Sequence, residues 1–353
     1  MGPGGLDQSS VFSSAYVCPS QELHGIGTIC LPQCDRKGSF VAPANSKGSI
    51  MQAIAAARFS PQTFTQIETR FDPEYGVLWG FMDPKPRPTF NSLLLSEARD
   101  FARGISDSGG VLLEMGQEHT INYVIEASKV PGVYNLGGDL ALFRDAIARQ
   151  DRELLLNYGR ACIDNVFSWA TSFGLPITTI ALVEGDAMGG GFESALSASV
   201  LIAEESARLG FPEILFNLFP GMGAYSLLSR KVGRRTTEEM INSGNMYTGR
   251  QLYDMGVVDV VAPDGAGEAA VYSYIKKHAR AANGRRAIEA ARREVVTPLT
   301  YDELSRVVTI WVDAALRLTD RDIRMMERLV RAQNRNVDLE VVPSNVMPLQ
   351  RSA

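Results

Sequence analysis

Hydrophobic positions alternate with polar ones in two early segments of the chain and predict a pair of β-strands. The segments are residues 64–71 and 76–82, and the polar residues 72–75 between them have the composition of a turn. Residues 91–105 then carry apolar side chains at helical spacing and predict an amphipathic helix. Two strands followed by a helix begin a pattern that the rest of the chain continues.

Strands and helices alternate further along the chain. Residues 123–128, 177–183 and 200–203 are apolar runs, and the second is rich in β-branched residues, as in buried parallel strands. Residues 140–173 have helical periodicity, with a break expected near Asp151. Strands separated by helices predict βαβ units, and therefore an α/β fold with a mostly parallel sheet.

Composition and periodicity predict four regions. Residues 1–58, rich in Gly, Ser, Pro and Gln, are expected to form a flexible leader with a short helix at 50–58. Residues 59–265 are expected to form the core domain and residues 266–336 a C-terminal helical region. Residues 337–353 show no clear pattern and are interpreted as a tail. Within the helical region, the long periodic segments are residues 269–296 and 301–334.

Composition and charge favour a globular protein and weigh against several other classes. The chain has 45% hydrophobic residues and a net charge of −5, which disfavours a nucleic-acid binder. No stretch approaches the ~20 apolar residues of a membrane span, and no secretory signal is recognised, so a cytoplasmic protein is expected. The three histidines fit no catalytic triad, and the grouping of His24, Cys30 and Cys34 lacks a fourth metal ligand. We therefore expect no metal and no cofactor.

Two glycine-rich loops each follow a predicted strand and precede a helix. They are residues 189–191 and the loop 135–139. Backbone N–H groups at a helix N-terminus favour an anion, and two such loops at one sheet edge can direct two N–H groups at one oxygen. Tight strand-to-helix turns are the plain structural alternative. A phosphate-binding loop is disfavoured, because its sequence motif is absent and Asp139 would repel phosphate.

Two glutamates are the candidates for acid–base chemistry. Glu193 lies in the first turn of the helix that follows the glycines. Glu213 lies between Phe211-Pro212 and an apolar run, where desolvation would raise its pKa toward general acid or base use. A surface glutamate that caps a helix after Pro212 is the alternative.

These residues together resemble the crotonase (enoyl-CoA hydratase/isomerase) superfamily. The resemblance is carried by ALVEGDAMGGGFESAL at 181–196, by PEIL and FPGMGAY downstream, and by the 20-residue spacing of Glu193 and Glu213. It covers roughly residues 60–275 and implies a crotonase-like ββα spiral core with a C-terminal helical region. It further implies that both glutamates are catalytic and that the backbone N–H groups of Leu136 and Gly190 form an oxyanion hole. The glycines that contact the substrate would be Gly137, Gly138 and Gly189.

Within that superfamily the chain is most similar to the diffusible signal factor synthases. The similar segments are YNLGGDLALF (134–143), GGGFESALS (189–197), PEILFNLFPGMGAYS (212–226) and the helix at 311–333. Those enzymes make cis-2-unsaturated fatty acids for bacterial quorum sensing, by dehydrating a 3-hydroxyacyl chain on acyl carrier protein and then hydrolysing the thioester. The resemblance implies that Met222 and Trp311 line the pocket for the acyl tail, joined by Leu215 and Leu318. Ordinary core packing is the alternative for each.

Four further interpretations concern the substrate and the partners. The basic clusters at 276–293 and 230–235 are candidate docking sites for an acidic carrier protein, with a solvated helix face as the alternative. An enoyl-CoA hydratase or isomerase acting on CoA thioesters would use the same two glutamates. A regulatory partner of a sensor kinase is a hypothesis of another class. The resemblance also implies a homo-oligomer of three or more subunits.

Overall fold

A computed structural model describes Phe59 and residues 64–340 of the chain. The short helix expected at 50–58, the remainder of the leader, and His24, Cys30 and Cys34 lie outside the described residues. The strands are β1 (Ile67–Asp72), β2 (Val77–Met82), β3 (Val111–Glu114), β4 (Gln117–Thr120), β5 (Tyr123–Ser128), β6 (Val133–Asn135), β7 (Thr178–Val183), β8 (Asp186–Met188), β9 (Val200–Glu204), β10 (Arg208–Gly210), β11 (Met246–Thr248) and β12 (Val260–Ala262).

The helices are α1 (Ser92–Asp107), α2 (Leu140–Ala148), α3 (Arg152–Ala170), α4 (Gly190–Ser197), α5 (Ala224–Ser243), α6 (Gly249–Asp254), α7 (Gly267–His278), α8 (Ala282–Val295), α9 (Tyr301–Ala315) and α10 (Asp320–Glu340). Short 3-10 helices cover Ser172–Gly174, Pro212–Phe216 and Ala279–Ala281. Strands and helices thus alternate through the first two thirds of the described chain, and helices follow β12 to its end.

The largest sheet has six strands in the order β1-β2-β5-β7-β9-β12. β1 and β2 pair antiparallel, and the other neighbours in this sheet pair parallel. Ala181 and Val183 of β7 belong to one core cluster, whereas Ile180 and Leu182 belong to another. Both faces of the central strand are therefore covered, which is why its sequence is apolar at nearly every position.

A second sheet positions the two glycine loops. Its order is β11-β10-β8-β6, and β6 and β8 pair parallel. The loop at 136–139 follows β6 and Gly189 follows β8, so the two loops leave the same edge of this sheet. Its strands have three residues each, which is too short to give a recognisable alternation.

Several elements differ from those predicted from the sequence. The hairpin β3–β4 was not predicted, since each strand has four residues and β4 (QEHT) is polar. The expected break near Asp151 is confirmed, because the Asp151 side chain caps α3 by accepting from Leu154 N–H. The segment 301–334 is two helices rather than one, because Asp322 bonds Thr319 and caps the start of α10. That helix also continues to Glu340, beyond the predicted boundary at 336.

Helix α9 packs on α3, which brings Trp311 of α9 close to Met222. α3 contacts both α1 and α9. A Cβ added at Gly159 of α3 would stand 2.5 Å from Cγ1 of Val308 in α9, so glycine permits this close approach. Trp311 of α9 is thereby buried in the same core cluster as Met222.

Candidate active site

The two glycine loops meet where β6 and β8 end. A Cβ added at Gly137 would lie 3.0 Å from the amide nitrogen of Gly190, and one at Gly190 would lie 3.5 Å from the amide nitrogen of Gly138. Side chains at either glycine would therefore separate the two loops. The predicted proximity of the loops is present, and glycine is the residue that allows it.

The structure corrects one of the two predicted oxyanion donors. The Leu136 N–H donates to the carbonyl oxygen of Pro88 at 2.7 Å, so it is not free to bind a substrate oxygen. The Gly137 N–H donates to Oδ1 of Asn135 at 2.8 Å. The N–H groups of Gly138 and Gly190 have no hydrogen-bond acceptor among the described residues. Gly138, rather than Leu136, is therefore the candidate partner of Gly190.

A buried tyrosine holds the first loop in place. Tyr158 of α3 donates from its hydroxyl to the carbonyl oxygen of Phe90 at 2.6 Å and accepts from the Asp139 N–H at 3.2 Å. The Asp139 side chain in turn accepts from the N–H groups of Ala141 and Leu142, which caps α2. This arrangement fixes the backbone on the C-terminal side of Gly138. The sequence did not indicate it, because a tyrosine in an amphipathic helix usually serves packing.

Glu193 is a buried carboxyl held by backbone donors. Its side chain is 2% exposed, and Oε1 accepts from the N–H groups of Met222 at 2.8 Å and Ala224 at 2.9 Å. Burial raises the pKa of Glu193 to about 7, and the backbone N–H groups oppose this rise by favouring the ionised form. The residues at the start of α5 therefore orient this glutamate. Only the resemblance to the crotonase superfamily had indicated that this segment is functional.

Glu213 lies in the 3-10 helix that follows β10. Its Oε2 is buried and has no hydrogen-bond partner among the described residues. Burial raises the pKa of Glu213 to about 8, and repulsion from the Glu193 carboxylate adds to the rise. The alternative of a surface glutamate capping a helix is therefore wrong. The sequence argument that an acidic residue in this apolar run is desolvated is confirmed.

Both glutamates line one cavity together with the glycine loops. Gly137, Gly138, Gly189 and Gly190 contribute to its wall. The rest of the wall is mainly apolar, and the C-terminal helices close part of it: the apolar members include Leu136, Phe143, Phe216, Met222, Trp311 and Leu329. Met222 and Trp311, the two residues predicted to line a pocket for an acyl tail, therefore both line this cavity.

Leu215 and Leu318 do not belong to this wall. Leu215 is 49% exposed and lies beside Gly244, away from the cavity. Leu318 follows α9 and packs partly buried against the main core cluster. Their predicted role in the tail pocket is therefore wrong. For Leu215 the reason is that the 3-10 helix turns this side chain outward, while its neighbour Phe216 points into the cavity.

Four polar residues of the wall were not predicted. They are Glu126, Tyr158, Asn165 and Ser194. Glu126 had a signal in the sequence, since it is an acidic residue within the otherwise apolar strand YVIEAS. Ser194 had no separate signal, since it follows Glu193 directly within the helix that the glycines begin.

The basic cluster at 230–235 is ion-paired, whereas in the cluster at 276–293 only Arg292 and Arg293 form ion pairs among the described residues. Arg230 binds the Glu303 carboxylate at 2.7 Å, and Lys231 binds Asp259 at 2.7 Å. Arg292 contacts Glu289 within α8 at 2.6 Å. These pairs reduce the positive potential that an acidic partner would meet.

Comparison with known proteins places the chain in a family. A family model described as enoyl-CoA hydratase/isomerase matches residues 102–328. The chain belongs to the enoyl-CoA hydratase/isomerase family. The matched residues include both glycine loops, both glutamates and Trp311. This family is part of the crotonase superfamily that the sequence motifs predicted. No helix among the described residues is both long enough and apolar enough to cross a membrane.

Curated proteins also match parts of the chain. A probable enoyl-CoA hydratase of Bacillus subtilis is 34% identical over 133 residues, which are 38% of this chain and 49% of that protein. The fatty acid oxidation complex subunit alpha of Pseudomonas syringae is 29% identical over 223 residues, 62% of this chain and 28% of the relative. The matched regions thus span about half of the first relative and less of the second.

Solved structures share the fold. The human mitochondrial delta3-delta2-enoyl-CoA isomerase has a TM-score of 0.63 at 16% identity, over 77% of this chain and 99% of that chain. An enoyl-CoA hydratase from Bacillus halodurans has a TM-score of 0.62 at 19% identity, over 75% and 100%. Pseudomonas aeruginosa DspI has a TM-score of 0.52 at 19% identity, over 78% and 96%. The predicted α/β crotonase fold is thereby confirmed.

Proposed function

We propose that this protein is a synthase of a cis-2-unsaturated fatty acid signal, of the diffusible signal factor type. It dehydrates a 3-hydroxyacyl chain on acyl carrier protein and then hydrolyses the thioester. The observation that carries the proposal is one mainly apolar cavity whose wall includes two buried carboxyls and two backbone N–H groups without acceptors. Such a set supplies acid, base and oxyanion stabilisation together.

The dehydration step uses the glutamate pair with one proton between its members. The thioester oxygen accepts from the N–H groups of Gly138 and Gly190, which stabilise the enolate by several kcal/mol. The ionised glutamate takes the proton from C2, and the protonated glutamate gives its proton to the hydroxyl that leaves C3. The C2–H and C3–O bonds break, the C2–C3 double bond forms, and water is released.

The hydrolysis step reuses the same groups. An ionised glutamate takes a proton from water, whose oxygen attacks the thioester carbonyl carbon. The tetrahedral oxyanion occupies the space beside the N–H groups of Gly138 and Gly190. The carbon–sulfur bond then breaks, the leaving thiolate takes the proton, and a free 2-enoic acid remains.

Support for the signal-synthase assignment comes from the sequence segments that resemble that subgroup. Those segments supply much of the cavity wall, since Leu136, Glu193, Met222 and Trp311 all fall within them. An apolar wall is the surrounding that a fatty acyl tail requires. The cytoplasmic location and a homo-oligomer of three or more subunits belong to this proposal, and sedimentation of the purified protein tests the latter.

An enoyl-CoA hydratase or isomerase that acts on CoA thioesters is the second candidate. The family match favours it, as does the similarity to the probable enoyl-CoA hydratase of Bacillus subtilis. It would use the same glutamates and the same N–H groups but would release no free acid. The carrier and the product therefore distinguish the two candidates.

The deciding experiment is mass spectrometry of free fatty acids from a bacterial host that expresses the protein. The proposal expects a cis-2-enoic acid that is lost with Glu193→Gln and with Glu213→Gln. Glu97→Gln is the matched control, because Glu97 is a buried carboxyl that accepts from Thr65 and Gln66 outside the cavity. That variant should keep the product.

Two other outcomes would replace the proposal. Hydration of crotonyl-CoA by the purified protein, with no free acid in the host, would identify the CoA-thioester enzyme. A signalling phenotype that persists in the Glu193→Gln/Glu213→Gln double variant would instead indicate a regulatory partner of a sensor kinase.

A further inference from the structure

A third buried carboxyl lies in the cavity wall, apart from the glutamate pair. Glu126 of β5 is 8% exposed, and its Oε2 accepts from the Tyr134 hydroxyl at 2.5 Å and from the Ser194 hydroxyl at 2.8 Å. None of the basic side chains that the structure describes forms an ion pair with it. Burial raises the pKa of Glu126, and the two hydroxyl donors oppose the rise.

The other oxygen of this carboxyl is the one left for a ligand. Oε1 of Glu126 accepts no hydrogen bond from the described residues, although Glu126 lines the same cavity as Glu193. Neither the dehydration step nor the hydrolysis step proposed above uses this oxygen. This oxygen is not fully buried, and the residue that carries it lines the cavity. A ligand that fills the cavity would remove water from Oε1, so a ligand group that donates a hydrogen bond to it is favoured.

The position of Glu126 along the cavity follows from helix α4. Ser194, which donates to Glu126, lies four residues after Gly190 on the same face of that helix, which is a distance of ~6 Å along the axis. Gly190 and Ser194 both line the cavity. The Glu126 carboxyl therefore lies about one helical turn from the N–H groups that bind the thioester oxygen, a separation that a short acyl chain spans.

We propose that Glu126 is a specificity-determining residue that accepts a hydrogen bond from a hydroxyl on the acyl chain, remote from the thioester. The inference rests on the proposed function, since it takes the cavity to be an acyl-thioester site. An unsubstituted chain would leave Oε1 buried against methylene groups, whereas a hydroxylated chain pairs it. A site built around such an acceptor discriminates strongly against a ligand that lacks the donor.

The test is calorimetric binding of three CoA thioesters that cannot be dehydrated: hexanoyl-CoA, 6-hydroxyhexanoyl-CoA and 6-methoxyhexanoyl-CoA. The wild-type protein should bind the hydroxylated ester at least about tenfold more tightly than either of the others. In Glu126→Gln the amide oxygen can still accept from Tyr134 and Ser194 while its NH₂ group faces the ligand. The ratio of the methoxy to the hydroxy dissociation constant should then fall at least about tenfold.

Glu97→Gln is again the matched control and should keep the wild-type ratio. Wild-type protein that binds hexanoyl-CoA as tightly as the hydroxylated ester overturns the inference, as does an unchanged ratio in Glu126→Gln or binding of none of the three. Turnover of a 2-enoyl thioester by the same preparation tests the proposed function separately. A protein that turns over enoyl thioesters without preferring the hydroxyl therefore loses only the role given to Glu126.

Discussion

Oε1 of Glu213 occupies the space that a Cβ would take at Gly189. Gly189 has a positive φ of 51°, and an added Cβ there would collide with this carboxylate oxygen. The residue that begins the turn into α4 and the glutamate that follows β10 are therefore fitted to each other. Glycine at this position is required both by the backbone and by the carboxyl beside it.

Replacement of Gly189 should impair catalysis more than folding. Gly189→Ala would displace the Glu213 carboxyl from the cavity, so we expect kcat/KM for enoyl-thioester hydration to fall about 10²-fold or more. Gly174→Ala is the matched control, because Gly174 also has positive φ, at 70°, but has nothing within 4 Å of an added Cβ. Both variants should lose about 1 kcal/mol of stability in chemical denaturation. Equal activity of the two would contradict the role of this contact.

Stability should depend on pH through the glutamate pair. Burial raises the pKa of Glu193 to about 7 and that of Glu213 to about 8, from 4.5 in the unfolded chain. The folded protein therefore binds these protons more tightly, so their stabilisation is full below the unfolded pKa and is lost as the pH rises through 7 and 8.

Glu213→Gln should consequently gain thermal stability relative to wild type as the solution becomes more alkaline. It removes one of the two buried charges that form above neutral pH, while a glutamine closely matches the protonated side chain. We expect the difference in Tm, variant minus wild type, to increase between mildly acidic and mildly alkaline buffer. A difference that is constant across this range would show that Glu213 is not desolvated in solution.

The corrected oxyanion donors can be tested by replacing single amides with esters. An ester at Gly138 removes the N–H proposed to bind the thioester oxygen, and kcat should fall about 10²- to 10³-fold. An ester at Leu136 removes the hydrogen bond to the Pro88 carbonyl and should cost about 1 kcal/mol of stability. The loss of kcat at Leu136 should be far smaller. The reverse pattern would restore Leu136 as the donor.

Trp311 should set the length of acyl chain that the cavity accepts. Trp311→Ala removes the ring that packs against Phe143 in the cavity wall, and longer chains should then be preferred in a competition of acyl thioesters. It should also destabilise the fold by about 3–5 kcal/mol. Trp169→Ala is the matched control, since Trp169 is buried in a different core cluster and should destabilise without changing the preferred chain length.

The sequence predicted the fold and much of the site because both are encoded in strong local signals. The apolar runs that became β5, β7 and β9 were long enough to recognise, and Glu213 was out of place by polarity alone. The three-residue strands of the second sheet gave no such signal, since three residues cannot show a period. The end of α9 was missed because capping by Asp322 acts through one side chain in an otherwise continuous helical pattern.

The errors at the site came from orientation rather than from residue identity. Whether the N–H of Leu136 or that of Gly138 is free depends on where the Pro88 carbonyl lies, which the sequence does not state. Likewise, Leu215 and Phe216 are both apolar neighbours, and the turn of the 3-10 helix decides which one faces the cavity. Glu126 was overlooked because its partners lie on other elements: Tyr134 on β6, and Ser194 on α4, 68 residues further along the chain.

The contribution of α9 and α10 to the cavity wall has a consequence for the order in which a ribosome makes the protein. Both glutamates leave the exit tunnel well before Trp311 and Leu329, which close part of the space around them. A nascent chain therefore contains both glutamates before it contains the residues that complete the cavity wall. The cavity wall is complete only when nearly the whole described chain has been synthesised, so a ribosome that stalls before α9 would leave a chain with both glutamates but an incomplete cavity.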